Sequence, residues 1–432
     1  MDIYLTLSSI FLVALLIVGV EIVAILGVGA IMFTLNTAQF PMTNVSLTMF
    51  DALNLFPLIA LPLFILTGDL VAEGGIAAQI MKFARAAIGW ARGGSVLTAI
   101  LASGFFAAIS GSNAATTATI GRIVVPDMVK DRYPPAFAAA TVAAGGTVGI
   151  IIPPSIMFIL YGVTVGVSVG DLFLGGILPG LIMVLAMTLA GYIACRMYGY
   201  DEFVPFSWSK LVVAFLDTKY AVGAIVLMLG GIYLGIFTPT EAGAVACAYC
   251  LVIGKFVTRK IKIRDLPDIM SRSGRISGLV APVIALAVVF SQNLAIVRVP
   301  ELLVNAFVSV SSNPTIIILM LLVLLLIVGC VMETAPNVLL LAPILAPFAV
   351  SLGLHPVHFG VWMTCVLAIG FVTPPIGLNL FVAAAMSNSS VLDVAKAVMP
   401  FLIALMIAVI LIAFIPQLTL AFISMEAGIR LW

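Results

Sequence analysis

Two stretches decide the reading: Gly149-Ile150-Ile151-Ile152-Pro153-Pro154-Ser155 and Gly370-Phe371-Val372-Thr373-Pro374-Pro375-Ile376-Gly377. Each interrupts an apolar run long enough to cross a lipid bilayer, residues 135–165 and 357–387. A Pro-Pro pair removes two backbone donors and clashes with the preceding turn, so a helix has to open there. Open backbone at membrane depth is tolerated only where protein or a water-filled cavity surrounds it. The two stretches therefore mark places built for more than spanning.

They also repeat. Adding 221 carries Gly149 onto Gly370 and Pro153-Pro154 onto Pro374-Pro375. The same shift carries Pro126 onto Pro347, Pro135 onto Pro356 and Pro179 onto Pro400. Near the start of each half the shift is 220, taking Glu21 to Glu241. With 23 prolines in 432 residues, chance does not align so many helix breakers. The sequence divides into two structural repeats, 1–218 and 219–432.

Composition sets the class. The chain is 63% hydrophobic and 9% charged, with a net charge of +1. Soluble domains average roughly 45–50% apolar and about 25% charged residues. A water-soluble globule, a disordered chain and a nucleic-acid binder with a basic face are excluded. An all-α polytopic membrane protein embedded in the lipid bilayer remains. Met1-Asp2-Ile3-Tyr4 has no basic leader, so Ile3 onward reads as a first helix and not a signal peptide. The five cysteines lie in apolar stretches, and the Cys247–Cys250 pair has no second pair to complete a zinc set.

Two further pairs of runs are too short or too broken to be simple spans. Residues 94–110 and 114–128 are joined by Ser110-Gly111-Ser112-Asn113, and 314–332 and 336–352 by Glu333-Thr334-Ala335-Pro336-Asn337. Each pair reads as a re-entrant helical hairpin, over 94–128 and 314–352. Basic residues gather at Lys82/Arg85/Arg92, Lys130/Arg132, Arg196/Lys210/Lys219 and Lys255 through Arg275. The positive-inside rule makes these loops cytoplasmic. One consistent threading gives each repeat five crossings and one hairpin. Five is odd, so the second repeat is inverted relative to the first. The least regular step splits 3–40 into two short helices at Glu21. Inverted repeats with broken helices meeting near the midplane are the architecture of secondary transporters.

The interruptions are also where chemistry can reside. At the first tip, the incoming helix ends in free carbonyls and the outgoing helix begins with free amides. Carbonyls with Ser and Thr hydroxyls suit a desolvated monovalent cation, and the amides suit an anionic group. Gly145–Gly149 faces this tip. At the second tip Glu333, Thr334 and Asn337 face Gly370, Thr373 and Asn379. Single Ser or Thr residues in membrane helices are as often packing residues. Glu333 reads as an ion ligand, as a proton carrier or as an N-terminal cap of the following helix. Glu21 and Glu241 read as caps, Arg298 as an interfacial arginine, and His355 and His358 as lacking partners for a metal. HExxH, GxSxG and Walker A motifs are missing, so an enzyme or a built-in ATP engine is not expected.

The chain resembles the large membrane subunit (DctM-like) of tripartite ATP-independent periplasmic (TRAP) transporters over nearly its whole length. The resemblance is carried by Ser110-Gly111-Ser112-Asn113-Ala114-Ala115-Thr116 with Ile120-Gly121, by Gly149–Ser155, by Thr238-Pro239-Thr240-Glu241-Ala242-Gly243, and by Gly370–Gly377. It implies a multi-pass protein of the bacterial inner membrane and an elevator-type, Na⁺-coupled importer of organic anions. It implies two partners, a small four-helix membrane subunit and a periplasmic substrate-binding protein. By residue match it implies Na⁺ at Ser110, Ser112, Asn113 and Gly149, and at Glu333, Thr334, Gly370 and Thr373. Substrate is expected near Thr116, Thr117, Pro153, Pro154, Asn337 and Asn379. Segments 73–92 and 300–311 are expected as arm helices in the membrane interface.

Sialic-acid relatives tend to carry an acid in the first tip, where this chain has Thr116, and many relatives have Ser-Pro in place of Asn113-Ala114. C4-dicarboxylates, other small carboxylates and sulfonates remain as cargo. Because the chain starts directly in its first repeat, the small subunit is expected as a separate chain. The alternative is a stand-alone Na⁺- or H⁺-coupled organic-anion carrier of the divalent-anion type. A channel would show charge rings or a filter loop, and none is visible.

Overall fold

The computed structural model describes residues 3–36, 41–200 and 205–427, and all their regular structure is helical. The first helices are α1 (Ile3–Val18), α2 (Ile22–Asn36), α3 (Met42–Leu53), α4 (Ala60–Glu73) and α5 (Ile76–Ile88). A hairpin of α6 (Gly94–Ser110) and α7 (Asn113–Lys130) follows, then α8 (Pro135–Gly146), a 3₁₀ turn over Thr147–Ile150, and α9 (Ile156–Val165). Next come α10 (Val169–Tyr198) and α11 (Trp208–Asp217).

The second half holds α12 (Lys219–Tyr233), α13 (Pro239–Val252), α14 (Leu266–Ile296) and α15 (Val299–Val310). A second hairpin joins α16 (Pro314–Val331) to α17 (Thr334–Ser351). The chain closes with α18 (Pro356–Gly370), α19 (Leu378–Ser387), α20 (Val391–Ala397), α21 (Met399–Phe414) and α22 (Gln417–Ala427). Among the described residues six helices are long and apolar enough to cross a membrane, or nine if each sharply bent pair counts as one span.

Local chemistry sets the boundaries. Gly19 takes φ +85° between α1 and α2, a left-handed turn beside Glu21. α13 opens with a capping box: the Thr238 amide donates to Glu241 Oε2 at 2.8 Å, and the Glu241 amide donates to Thr238 Oγ1 at 3.3 Å. The cap expected of Glu241 is thus explicit. His355 Nδ1 accepts from the Val357 amide and caps α18, while buried His358 lies 2.7 Å from Thr419 Oγ1.

Some boundaries differ from the apolar pattern. α3 and α11 are amphipathic and fall outside the continuous apolar runs. α14 starts at Leu266, ten residues before its apolar stretch, so Arg272 and Arg275 sit on a helix and not in a loop. The largely apolar C-terminal segment 394–424 is divided among three helices, with a 58° bend between α21 and α22 at Pro416.

Helices α8 and α18 are buried on all faces, which is where helices apolar all round belong. Around them the contacts alternate between halves. α7 packs on α8 and also on α19, while α17 packs on α18 and also on α9. Tyr161 of α9 donates its hydroxyl to Pro356 O at 2.8 Å, tying the first half to α18. On the other side α4 packs against α13 and α14, and α14 runs past α2, α3 and α17. Cys247 donates to Leu63 O at 2.9 Å, so the Cys247–Cys250 pair serves packing between α4 and α13.

Glycine allows the closest approach. A methyl at Gly370 would run into the Gly329 carbonyl of α16, whereas one at Gly274 of α14 meets nothing within 4 Å. Gly370→Ala is expected to destabilise the protein by about 1–3 kcal/mol, the usual cost of overpacking a core. Gly274→Ala should be neutral or slightly stabilising, since alanine is the better helix former. Thermal unfolding of the two variants in detergent checks the contrast.

Candidate functional site

The first hairpin turns at Gly111, whose φ of +60° ends α6 in the left-handed region. Ser112 is extended and accepts from the Ala115 amide at 3.4 Å, starting α7. Thr116 donates to Ser112 O at 2.7 Å, and its hydroxyl lies 3.0 Å from Ser110 Oγ. The first break is pressed onto this tip. A Cβ on Gly149 would lie 2.5 Å from Ser112 O, and one on Gly111 would lie 2.8 Å from Pro154 O. Only glycine at both positions lets two unwound backbones meet.

The second hairpin turns differently. α16 ends at extended Met332, and Glu333 occupies the N-cap of α17 without a side-chain hydrogen bond to its amides. Its carboxylate has no ion pair among the described residues and is exposed toward the cavity described below. Glu333 thus stands at the N-cap of α17, where a negative charge favours the helix N-terminus, with no side-chain hydrogen bond to its amides. Asn337 does the tying instead. Its Nδ2 donates to Met332 O at 3.1 Å and Val328 O at 3.4 Å, closing free carbonyls of α16. Asn379 plays the matching part across the halves, donating to Ala143 O of α8 at 3.1 Å. Thr373 donates to Ile369 O at 2.8 Å.

These tips and breaks carry unspent hydrogen-bonding capacity. Buried side-chain atoms without a partner include Asn113 Oδ1 and Nδ2, Thr117 Oγ1, Thr334 Oγ1, Asn337 Oδ1 and Asn379 Oδ1. That is six of the eleven such atoms among the described residues. Leaving a buried polar atom unpaired costs about 1–3 kcal/mol, so such a concentration calls for a ligand.

A cavity of about 470 Å³ lies where both tips meet α4 and α14. Ser110, Ser112 and Asn113 line it from one tip, Glu333 and Thr334 from the other. Ile150 and Phe371 come from the two breaks, and Asp69 and Ser277 from α4 and α14. A second cavity of about 380 Å³ lies between α3, α9, α14 and α17, bounded by Asp51, Ser291 and Gln292. Leu58 and Ile284 line both cavities and stand between them. No lysine, arginine or histidine is among the described residues lining the first cavity. An anion there would rely on the N-termini of α7 and α17, which both open onto it.

The sequence profile described as "Tripartite ATP-independent periplasmic transporter, DctM component" matches residues 9–418. The chain belongs to the DctM family of TRAP transporters. Among similar proteins is the isethionate TRAP transporter permease protein DctMQ of Oleidesulfovibrio alaskensis, 39% identical over 94% of this chain. The chain spans 64% of that relative's length. The C4-dicarboxylate TRAP transporter large permease protein DctM of Vibrio cholerae is 34% identical over 95% of each chain. The sialic acid TRAP transporter large permease protein SiaM of the same species is 32% identical over 90% of this chain and 92% of its own. Of solved structures, the YdaH transporter of Alcanivorax borkumensis shares the fold at a TM-score of 0.65 and 14% identity, over 87% of this chain and 88% of that one.

Within this DctM-family chain the residues expected at the two tips sort into layers. Ser110, Ser112, Asn113, Glu333 and Thr334 reach the cavity. Gly149 backs the first tip, Gly370 packs on α16, and Thr373 bonds its own helix. Thr116, Thr117, Pro153, Pro154, Asn337 and Asn379 do not line the cavity, and Thr117 and Asn379 meet behind it at Gly146. The wall supplied by α4 and α14 was not among the expected site residues. Asp69 was nevertheless visible as an acid in an apolar run, a functional flag by default. It accepts from Ser273 Oγ at 2.6 Å and pairs with Arg272 at 3.5 Å.

Thr334→Val removes an unpartnered hydroxyl while keeping the side chain's shape. In Na⁺-free buffer it should leave the unfolding temperature unchanged or raise it, consistent with up to about 1 kcal/mol of relief. A clear drop would show that the hydroxyl has a protein partner.

Proposed function

We propose that this chain is the large permease subunit of a Na⁺-coupled TRAP transporter that imports a small organic anion, a carboxylate or sulfonate. The observation that carries the reading is the convergence on one cavity of two helix N-termini backed by unpartnered oxygens. The amides of α7 and α17 would hold the anion. Na⁺, a co-substrate, would be held by the oxygen donors of Asn113, Thr117, Thr334, Asn337 and Asn379 with backbone carbonyls freed at the breaks. All are hard oxygen donors, and none has another buried partner at the atom concerned.

A small four-helix membrane subunit and a periplasmic binding protein are the proposed partners, and the multi-pass chain is placed in a bacterial inner membrane. Supporting the anionic cargo, the names of relatives specify isethionate, C4-dicarboxylate and sialic acid. The two halves are read as inverted repeats. In this elevator reading, the hairpins and broken helices move as a block, and α4 and α14 stay fixed with Leu58 and Ile284 as the barrier.

Reconstituted in proteoliposomes with its small subunit, the protein should take up its anion only with an inward Na⁺ gradient and the soluble binding protein. Uptake without either refutes the proposal. Adding Na⁺ should raise the unfolding temperature of the parent protein, and Thr334→Val should abolish that rise. Because the Glu333 carboxylate stands at the cavity beside Thr334 and would favour a cation there, Glu333→Gln should weaken the Na⁺ dependence of uptake; an unaltered dependence shows that this charge takes no part in ion coupling.

The moving block has its own test. A Cβ built on Gly68 of α4 lies 3.6 Å from Ser110 Cβ, within disulfide reach. Oxidising the Gly68→Cys/Ser110→Cys pair should stop uptake and reductant should restore it. Undiminished uptake by the cross-linked protein contradicts the elevator.

A further inference from the structure

Away from the transport site, a cavity of about 630 Å³ opens between α5, the start of α6 and α11. Among the described residues, Lys82, Arg85 and Lys210 line it, with one acid, Asp131. Lys82 and Arg85 stand three residues apart on one face of α5, whose other face, Ile76, Ala77, Ile80, Met81 and Ala84, is buried. Arg85 is shared with Asp127 at 3.6 Å, and Asp131 is engaged by Ser95 Oγ at 3.1 Å. Lys82 and Lys210 have no ion pair among the described residues. A second observation is independent of charge. Thr98 lines the same cavity, is 1% exposed, and its hydroxyl has no hydrogen-bond partner. A buried, unpartnered hydroxyl on a residue lining a cavity with three bases is the provision for an oxyanion.

The surroundings say what carries the oxyanion. The cavity lies on the basic face, which the positive-inside rule places at the cytoplasmic surface. Trp90 stands at its edge, 5.7 Å from Phe206, and Phe206 lies 5.0 Å from Trp208, an aromatic cluster of the kind found at headgroup level. α11 turns Trp208, Val212 and Leu216 outward, each more than half exposed. A helix carrying a base, Lys210, beside bare apolar side chains, and packed on the basic helix α5, suits the membrane interface.

We propose that this cavity binds the phosphate of an anionic phospholipid of the cytoplasmic leaflet. Lys82, Arg85 and Lys210 hold its charge and Thr98 donates to a phosphate oxygen. The acyl chains run along Trp208, Val212 and Leu216. Because α5 links α4 to hairpin α6–α7, the lipid fastens the joint between the two parts of the molecule.

The test uses the purified full-length protein in detergent, titrated with phosphatidylglycerol, with phosphatidylcholine or with inorganic phosphate, and followed by thermal unfolding. Phosphatidylglycerol should raise the unfolding temperature where the other two do not. Lys82→Gln/Lys210→Gln should weaken that response about tenfold or more in lipid concentration. Lys255→Gln/Lys262→Gln, on the same face but outside the cavity, should leave it intact, and Thr98→Val should weaken it without altering the lipid-free protein. The proposal is overturned if the parent protein shows no selective response. Equal weakening in both lysine pairs would also overturn it, because the attraction is then general to the basic face. A response reproduced by inorganic phosphate alone assigns the cavity to a free anion and overturns the lipid.

Discussion

Inside a bilayer every backbone amide and carbonyl has to find a partner within the protein, and the rest of this structure follows from that constraint. Two hairpin turns and two Pro-Pro breaks leave many such groups free at depth. The fold answers by pressing each interruption against another. Gly149 lets the first break lie on the Ser112 carbonyl, and Gly370 lets α18 lie on the Gly329 carbonyl. Asn337 and Asn379 close carbonyls at the ends of α16 and in α8. Of the side-chain atoms these contacts leave unsatisfied, those of Asn113 and Thr334 belong to residues lining the cavity, and those of Thr117, Asn337 and Asn379 to residues outside its lining.

The division of labour among helices follows from the same economy. α8 and α18 are buried on every face because the hairpins wrap them. α4 and α14 have fewer interruptions and supply a mostly apolar wall, with Asp69 held by Arg272 and Ser273 at one end. The cavity thus has hydroxyls, amides and helix N-termini on one side and leucine and isoleucine on the other.

Much of this was legible in sequence, because glycine and proline announce backbone events directly. The tips at Ser110–Asn113 and Glu333–Asn337 and the breaks at Gly149–Ser155 and Gly370–Gly377 follow from residues whose backbone preferences are strong. The helices α3 and α11 were not legible, since their apolar residues are spaced and not continuous. The start of α14 was hidden because Arg272 and Arg275 resemble a basic loop until a helix carries them past Asp69. Which tip residues face the cavity was not legible either. Thr116 and Ser112 are four apart in sequence, yet the first bonds inward and the second lines the cavity, a matter of how the tip is rotated.

The exchange of partners between halves also sets an order of assembly. α7 lies against α19, and α9 against α17, each pair far apart in the chain. While the ribosome is still making the second half, the matching faces of α7 and α9 have no permanent neighbour. Local hairpins can close early, but the interior around α8 waits for α19, among the last elements to emerge. Such long-range dependence slows folding and prolongs the exposure of unfinished surfaces. The first half therefore spends much of its synthesis as a resident of the lipid phase, and lipids or insertion machinery are its interim neighbours.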